Sequence, residues 1–224
     1  MTIHDEQMDH SLLSAQHEKL VQLNGCSERI EIHPAYFLKK MPGTSPELFL
    51  RERVAQKLIR IAEKLPSALH LVLIDGWRSY ETQSFIYETT IKLFVSKGYS
   101  QEKIKEEISK FVARPSKSLG SSAPHYSGGA IDLTLANEQG WLDMGTDFDD
   151  FTEKARADYY EQSCDLAAGD QQIRENRRFL TRIMESAGFV PNPTEWWHYS
   201  YGDKAWAAQK QAAQLYGGID RGSF

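Results

Sequence analysis

Apolar residues between positions 54 and 65 recur every three or four residues, the spacing that buries one face of a helix. Ser45 and Pro46 precede this stretch, and serine as N-cap with proline in the first turn is typical of a helix start. Pro66 follows the last apolar position and cannot continue a helix. The pattern therefore predicts a helix that begins at Ser45 and ends before Pro66.

Similar patterns divide the rest of the chain into helices and short strands. A helix is predicted over residues 80–94, with Phe85, Ile86, Leu93 and Phe94 on its inner face. Further helices are predicted over residues 96–112, 174–188 and 204–216, and strands at the start of 28–38 and over 69–74, 130–135 and 196–201. Because the strands are few and do not alternate regularly with helices, the sequence predicts one α+β domain with a small, mainly antiparallel sheet.

Composition and charge disfavour several classes of protein. The chain has 224 residues, and we predict a polar N-terminal arm over residues 1–24 followed by a single domain over residues 25–224. A net charge of −5 without a basic run disfavours nucleic-acid binding. The apolar run around His70 is far too short to cross a membrane.

The N-terminal residues and the cysteines predict a cellular compartment. Residues 1–13 have neither a basic nor an apolar region, so no signal peptide is predicted. Cys26 and Cys164 lack the spacing of a disulfide framework or a redox motif, which is typical of free thiols in a reducing compartment. These features predict a cytoplasmic protein.

Two glycines lie between a histidine and an aspartate in the segment 125–132. Gly128 and Gly129 allow a tight turn, so the side chains of His125 and Asp132 can converge on one point. An imidazole nitrogen and a carboxylate oxygen are both ligands of Zn²⁺. For this segment alone, a structural histidine and a structural aspartate are the alternative.

A second segment adds the remaining groups that a catalytic metal needs. Glu195 and His198 lie three residues apart among aromatic residues. A catalytic zinc has three protein ligands and a water molecule, and His125, Asp132 and His198 would complete such a set. Glu195 is then available as the general base that takes a proton from the water. For this segment alone, a glutamate at a strand start and a core histidine are the alternative.

Two loops contain further candidate residues. Arg78 lies in the segment 75–79, which directly follows a predicted strand, where loops often place functional side chains. It could stabilise the oxyanion that forms when water attacks a carbonyl group, and a structural salt bridge is the alternative. The acidic loop 143–150 could bind a cationic group of a substrate, with a solvated acidic turn as the alternative, and its spacing does not fit an EF-hand.

Five segments occur in an order that is specific as a set. They are Asp-Gly-x-Arg at 75–78, a histidine and glycine turn followed by Ala-x-Asp-Leu-Thr-Leu at 125–135, Met-Gly-Thr-x-Phe-Asp at 144–149, the helical positions between 176 and 189, and Glu-Trp-Trp-His at 195–198. With them, the chain over about residues 29–205 resembles the D-alanyl-D-alanine dipeptidase family, the zinc peptidases of the vancomycin-resistance type. It departs at Ala123, where many members have serine, with Ser122 and Ser121 one and two places further back.

This resemblance implies a fold shared with D,D-carboxypeptidases and the hedgehog signalling domain, in which helices flank a small antiparallel sheet and zinc lies on the sheet face. It also implies one Zn²⁺ per chain. The roles that it implies are metal ligands for His125, Asp132 and His198, catalytic base for Glu195, transition-state stabiliser for Arg78, and binding of the substrate's free ammonium group for Asp149.

The resemblance further implies hydrolysis of the cell-wall dipeptide D-alanyl-D-alanine by metal-activated water, with this small D-amino-acid dipeptide as the expected partner. A D,D-carboxypeptidase that acts on longer peptidoglycan stems is an alternative, which the lack of a predicted signal peptide disfavours because such stems lie outside the cell. A non-catalytic zinc-containing binding module is an alternative of another class. It is disfavoured because a pure binding site needs neither Glu195 nor Arg78.

Overall fold

The computed structural model describes residues 15, 17–110, 112–118, 123–162 and 167–221. The elements in chain order are β1 Leu20–Gln22, β2 Ile30–Ile32, α1 Ala35–Leu38, β3 Phe49–Arg51, α2 Glu52–Lys64, β4 His70–Asp75, α3 Tyr80–Ser96, α4 Gln101–Glu107, β5 Ala130–Asn137, β6 Gly140–Trp141, α5 Ala168–Ser186, β7 Val190–Asn192, β8 Glu195–Ser200 and α6 Lys204–Lys210. Most of the predicted arm, Ser121, Ser122 and Cys164 lie outside the described residues.

The main sheet has the strand order β2-β4-β5-β8-β7 within the described residues, and β6 pairs with the end of β5. Strands β2 and β4 are parallel, whereas all other pairs in this sheet are antiparallel. Strands β1 and β3 form a separate antiparallel pair. The predicted α+β fold with a small, mainly antiparallel sheet is therefore confirmed.

The core lies between the sheet and the helices α2 and α5. Val54 and Leu58 of α2 and Leu180 and Met184 of α5 are fully buried, as the helical spacing of apolar residues on α2 predicts. Burying a side chain of this size contributes about 1.5–3 kcal/mol to stability. Neither helix, nor any other in the described part of the chain, is both long and apolar enough to cross a membrane.

The predicted start of the first long helix at Ser45 is wrong. Helix α2 begins at Glu52, and residues 49–51 instead form strand β3, which pairs with β1. The extended conformation buries Leu50 completely, so tertiary pairing overrides the local helix-start signal. Strand β1 of this pair, Leu20–Gln22, lies within the predicted N-terminal arm of residues 1–24.

The inner face of α3 is also different from the prediction. Phe94 is buried as predicted, in a small cluster with Ile104 and Ile108. Phe85 and Leu93 are 40% and 38% exposed, and they do not belong to the inner face. The first turns of α3 instead bury polar residues such as Gln83, because this end of the helix packs against the polar loop after β4 rather than against apolar side chains.

Candidate metal centre and active site

Three adjacent strands bring acidic and imidazole side chains side by side. Asp75 at the end of β4 is the cross-strand partner of Asp132 on β5, and Asp132 is in turn the partner of His198 on β8. Directly paired residues in an antiparallel sheet have their side chains close together. The sheet register therefore places Asp132 and His198, which are 66 positions apart, next to each other.

His125 reaches the same point from a tight turn. It opens a short 3₁₀ turn, His125–Ser127, which ends at Gly128 with a φ of +72°. At Gly129, an added Cβ would lie 2.4 Å from the carbonyl oxygen of Tyr201, so only glycine fits there. The two glycines thus have the conformational role that the sequence predicts.

The three side chains that converge here have the composition of a metal site. His125 Nε2 lies 3.3 Å from Asp132 Oδ2 and 3.1 Å from His198 Nδ1. His198 Nδ1 lies 2.9 Å from Asp132 Oδ1. All three residues are buried, and their ligand atoms lie within 4.8 Å of one another. Two imidazole nitrogens and one carboxylate oxygen are a donor set that Zn²⁺ accepts in catalytic sites.

The second nitrogen of each imidazole has a partner that fixes the ring. Nδ1 of His125 donates to the carbonyl oxygen of Gly76 at 2.8 Å, which leaves Nε2 directed at Asp132. Nε2 of His198 lies 3.4 Å from Ser200 Oγ. Such outer partners orient metal-binding histidines and set their tautomers. The donor set is therefore held in an arrangement that fits a single metal ion.

The electrostatics of the cluster keep its carboxylate ionised. Burial alone would raise the pKa of Asp132, but the neighbouring His125 and His198 outweigh burial and lower it. Burial alone would lower the pKa of His198, whereas its hydrogen bond to Asp132 and the charge of that carboxylate raise it to about 9. Without a metal ion, the cluster therefore contains a carboxylate and a positively charged imidazole.

Glu195 lies at the edge of this cluster. Its Oε2 is 3.8 Å from His198 Nδ1 and accepts a hydrogen bond of 2.9 Å from the side-chain amide of Asn192. Burial raises the pKa of Glu195, and the neighbouring His198 partly offsets this effect. A raised pKa brings a carboxylate closer to neutral pH, which improves it as a general base.

Arg78 is a buried guanidinium with a fixed orientation. Its Nε and Nη2 donate to Asp75 Oδ2 at 3.0 and 2.8 Å, and its Nη1 donates to Gln83 Oε1 at 2.9 Å. Nη2 also lies 3.8 Å from Asp132 Oδ2. The side chain thus borders the metal cluster, and its donors are directed by residues on both sides. Asp75, which anchors it, has a pKa raised by burial and partly lowered again by Arg78.

Asp149 lies in a loop and has two partners within the chain. Its φ is +64°, and its carboxylate accepts a hydrogen bond of 2.9 Å from the hydroxyl of Tyr36. The second oxygen forms an ion pair of 2.9 Å with Lys39 Nζ. The carboxylate therefore already has a cationic partner within the chain, which sequence reasoning did not foresee. Binding of a substrate ammonium group by Asp149 stays a prediction.

One cavity of about 360 Å³ is lined by all six candidate site residues of the sequence analysis, His125, Asp132, His198, Glu195, Arg78 and Asp149. Sequence reasoning missed other polar residues that line it, among them Tyr36, Gln83 and Asn192. Gln83 and Asn192 lie only five and three positions from Arg78 and Glu195, but outside the recognised motifs. Tyr36 is 42 positions from Arg78, and the tertiary fold brings it to the site.

The fold and the site define a class of protein: a metal-dependent hydrolase with one buried His-Asp-His cluster, a carboxylate at its edge and a fixed arginine. A family model described as D-ala-D-ala dipeptidase matches residues 35–215. The chain belongs to this family of zinc-dependent metallopeptidases, and its cofactor is Zn²⁺.

Two relatives named as dipeptidases agree with this assignment. The chain is 31% identical over 184 residues to a D-alanyl-D-alanine dipeptidase of Synechocystis sp., an alignment that covers 75% of this chain and 74% of the relative. It is 33% identical over 144 residues to a D-alanyl-D-alanine dipeptidase of Escherichia coli, covering 64% and 60%. A solved structure of VanYB in complex with D-alanine-D-alanine superposes with a TM-score of 0.46 at 18% identity, covering 76% of this chain and 83% of that one.

Proposed function

We propose that the protein is a dipeptidase that hydrolyses D-alanyl-D-alanine, with His125, Asp132 and His198 as the ligands of its zinc ion. The observation that carries this proposal is the buried cluster of these three side chains, with their ligand atoms within 4.8 Å, in one cavity with Glu195 and Arg78. The names of the relatives support the choice of substrate. The cavity, at about 360 Å³, is at the small end of ligand pockets and suits a dipeptide.

The proposed mechanism assigns each polar group one task. Zn²⁺, when bound, polarises the peptide carbonyl and lowers the pKa of water. Glu195 takes a proton from the attacking water and later gives it to the leaving amine, and Asn192 orients its carboxylate. Arg78 donates to the oxygen that becomes negative, and Asp75 and Gln83 hold its guanidinium in place before the reaction.

One observation favours the D,D-carboxypeptidase as a second candidate. The ion pair between Asp149 and Lys39 leaves the proposed ammonium site electrostatically satisfied even when a substrate has no free ammonium. An N-acylated stem peptide would then not leave this carboxylate without a cation. The non-catalytic binding module is less well supported, because Arg78 and Glu195 are both fixed beside the metal cluster. We also propose a cytoplasmic location, which the cysteine usage of the chain supports.

Hydrolysis by the purified, zinc-loaded protein tests the proposal. We expect release of D-alanine from D-alanyl-D-alanine, little release of L-alanine from L-alanyl-L-alanine, and loss of activity with a chelator that zinc restores. Metal analysis of His198→Ala should show less than stoichiometric zinc. Full zinc content in this variant would contradict the ligand assignment. Equal or faster cleavage of N-acetyl-D-alanyl-D-alanine by the wild type would favour the carboxypeptidase instead.

A further inference from the structure

An ammonium group of the chain itself occupies the place proposed for the ammonium group of the substrate. Lys39 Nζ lies 2.9 Å from Asp149 Oδ2. The same nitrogen lies 5.6 Å from the ring centre of Tyr36 and 5.4 Å from that of Phe148. A carboxylate flanked by aromatic rings is a favourable environment for a cation. Lys39 and a substrate ammonium would therefore compete for one site.

The backbone that carries Lys39 is held in place, whereas its side chain is not enclosed. Lys39 caps α1, and the next residue, Lys40, has a φ of +56°. The amide of Lys40 donates to Phe37 and that of Met41 to Tyr36, which closes the helix end. The side chain of Lys39 is nevertheless 48% exposed. It can leave Asp149 by rotation of its own bonds, without any change in the helix.

The partner of Lys39 is fixed more firmly. The side chain of Asp149 is 24% exposed, and its other oxygen is held by the hydroxyl of Tyr36. The ring of Phe148 contacts both Tyr36 and Trp197, which anchors the loop to the cavity wall. When Lys39 moves away, the carboxylate therefore remains in place for another cation.

We propose that Lys39 is a specificity-determining residue that sets how strongly the protein prefers dipeptides with a free ammonium group over N-acylated ones. This inference rests on the proposed function, because it takes Asp149 as the ammonium site. A free dipeptide displaces Lys39 and binds Asp149 with its own ammonium. An N-acylated dipeptide leaves Lys39 in place, so the carboxylate keeps a cationic partner and the acylated ligand is tolerated.

The expected effect of removing Lys39 has opposite signs for the two ligands. Free D-alanyl-D-alanine no longer competes with a lysine, so its affinity should increase by up to about fivefold, the range expected for an exposed ion pair. N-acetyl-D-alanyl-D-alanine would face an unpaired carboxylate, so its affinity should decrease by about fivefold or more. The ratio of the two affinities should therefore increase by at least about fivefold.

Equilibrium binding by zinc-loaded protein tests this inference without relying on turnover. Both dipeptides are titrated calorimetrically against Glu195→Gln and against the same protein with Lys39→Met added. Lys39→Arg in that background keeps a cation at the same position and should leave the affinity ratio nearly unchanged. Lys97→Met, which removes an exposed charge at the far end of α3, should also leave the affinity ratio nearly unchanged. With Asp149→Asn added, Lys39→Met should no longer change the ratio.

The outcomes separate this inference from the proposed function. An unchanged affinity ratio in Lys39→Met, or an equal change for both dipeptides, would overturn the role of Lys39 even if the wild type hydrolyses D-alanyl-D-alanine. If the wild type hydrolyses neither dipeptide but the ratio shifts as expected, the proposed activity fails while the role of Lys39 stands. If neither dipeptide binds, both the proposed function and the role of Lys39 are overturned.

Discussion

At the scale of single residues, burial and a neighbouring histidine have opposite effects on the pKa of Glu195. Burial raises this pKa, whereas the neighbouring His198 lowers it. The side-chain amide of Asn192 donates to the carboxylate and so orients Glu195 before substrate binds.

We expect Glu195→Gln to keep its fold and its zinc but to lose at least about 10²-fold in kcat, because the amide cannot accept the proton. The amide oxygen of the new side chain can still accept the hydrogen bond from Asn192, so the packing should be preserved. Steady-state kinetics with parallel metal analysis measure both properties. Turnover within a few-fold of the wild type would instead show that this glutamate is structural.

His198 makes zinc binding sensitive to pH. Its pKa in the zinc-free protein is about 9, so the ring is protonated at pH 7.5 and must lose that proton to act as a ligand. We expect about one proton released per zinc ion at this pH, and an apparent affinity that increases as the pH rises to about 9. Calorimetric titrations of zinc in buffers of different ionisation enthalpy measure the number of protons released. Identical binding enthalpies in all buffers would contradict this expectation.

The same shift has a consequence for stability without zinc. The folded-state pKa of His198 lies above the ordinary value of 6.5, so protonation favours the folded state. This contribution is fully present below about pH 6.5 and is lost as the pH rises through about 9. When zinc binds, it replaces this stabilising proton on His198.

At the scale of elements, periodicity predicted where helices lie better than where they begin. The spacing of apolar residues located α2, but the local signal at Ser45 could not show that residues 49–51 pair with β1. On α3, hydrophobicity suggested that Phe85 faces inward. The structure buries Gln83 instead, since its partner is Arg78, which lies in a loop. Polar contacts between a helix and the loop before it have no sequence period.

The site was more predictable than the helix ends wherever a motif fixed a local turn. The segment 125–132 and the pair Glu195 and His198 each bring chemistry-bearing residues together over a short distance, so their convergence could be proposed from sequence. Lys39 could not be found in this way. Lys39 is 110 positions from its partner Asp149, and only the tertiary fold brings the two together.

The turn before β5 tolerates no added side chain. We expect Gly129→Ala to destabilise the protein by about 1–3 kcal/mol, because the new Cβ would lie 2.4 Å from a backbone carbonyl oxygen. Gly169→Ala on α5 is the matched control, since nothing lies within 4 Å and alanine favours a helix. Urea unfolding measures both. Equal stability of the two variants would contradict the packing at this turn.

At the scale of the whole molecule, one buried arginine joins three distant segments. Arg51 donates to the carbonyl oxygens of Glu18, Ser127 and Gly217, and its guanidinium stacks over the ring of Tyr216. Its own amide donates to Gly128 at 2.9 Å. The turn that carries His125 is thus tied both to the strand pair β1–β3 and to the chain after α6.

We expect Arg51→Met to reduce the free energy of unfolding by about 3 kcal/mol or more, because it leaves several carbonyl groups without a donor. Arg53→Met is the control two positions away. Its partner is Glu18 at 3.4 Å and its side chain is 41% exposed, so a change within about 0.5 kcal/mol is expected. Denaturant unfolding of both variants tests this, and similar values would contradict the role of Arg51.

The bond from Arg51 to Gly217 has a consequence for how the protein matures in a cell. Residues 51 and 127 leave the ribosome before residue 217, so the turn around His125 lacks one of its anchors until Gly217 has emerged. His198 also emerges after His125 and Asp132. A nascent chain therefore cannot offer a finished zinc site until the segment through residue 217 has left the ribosome.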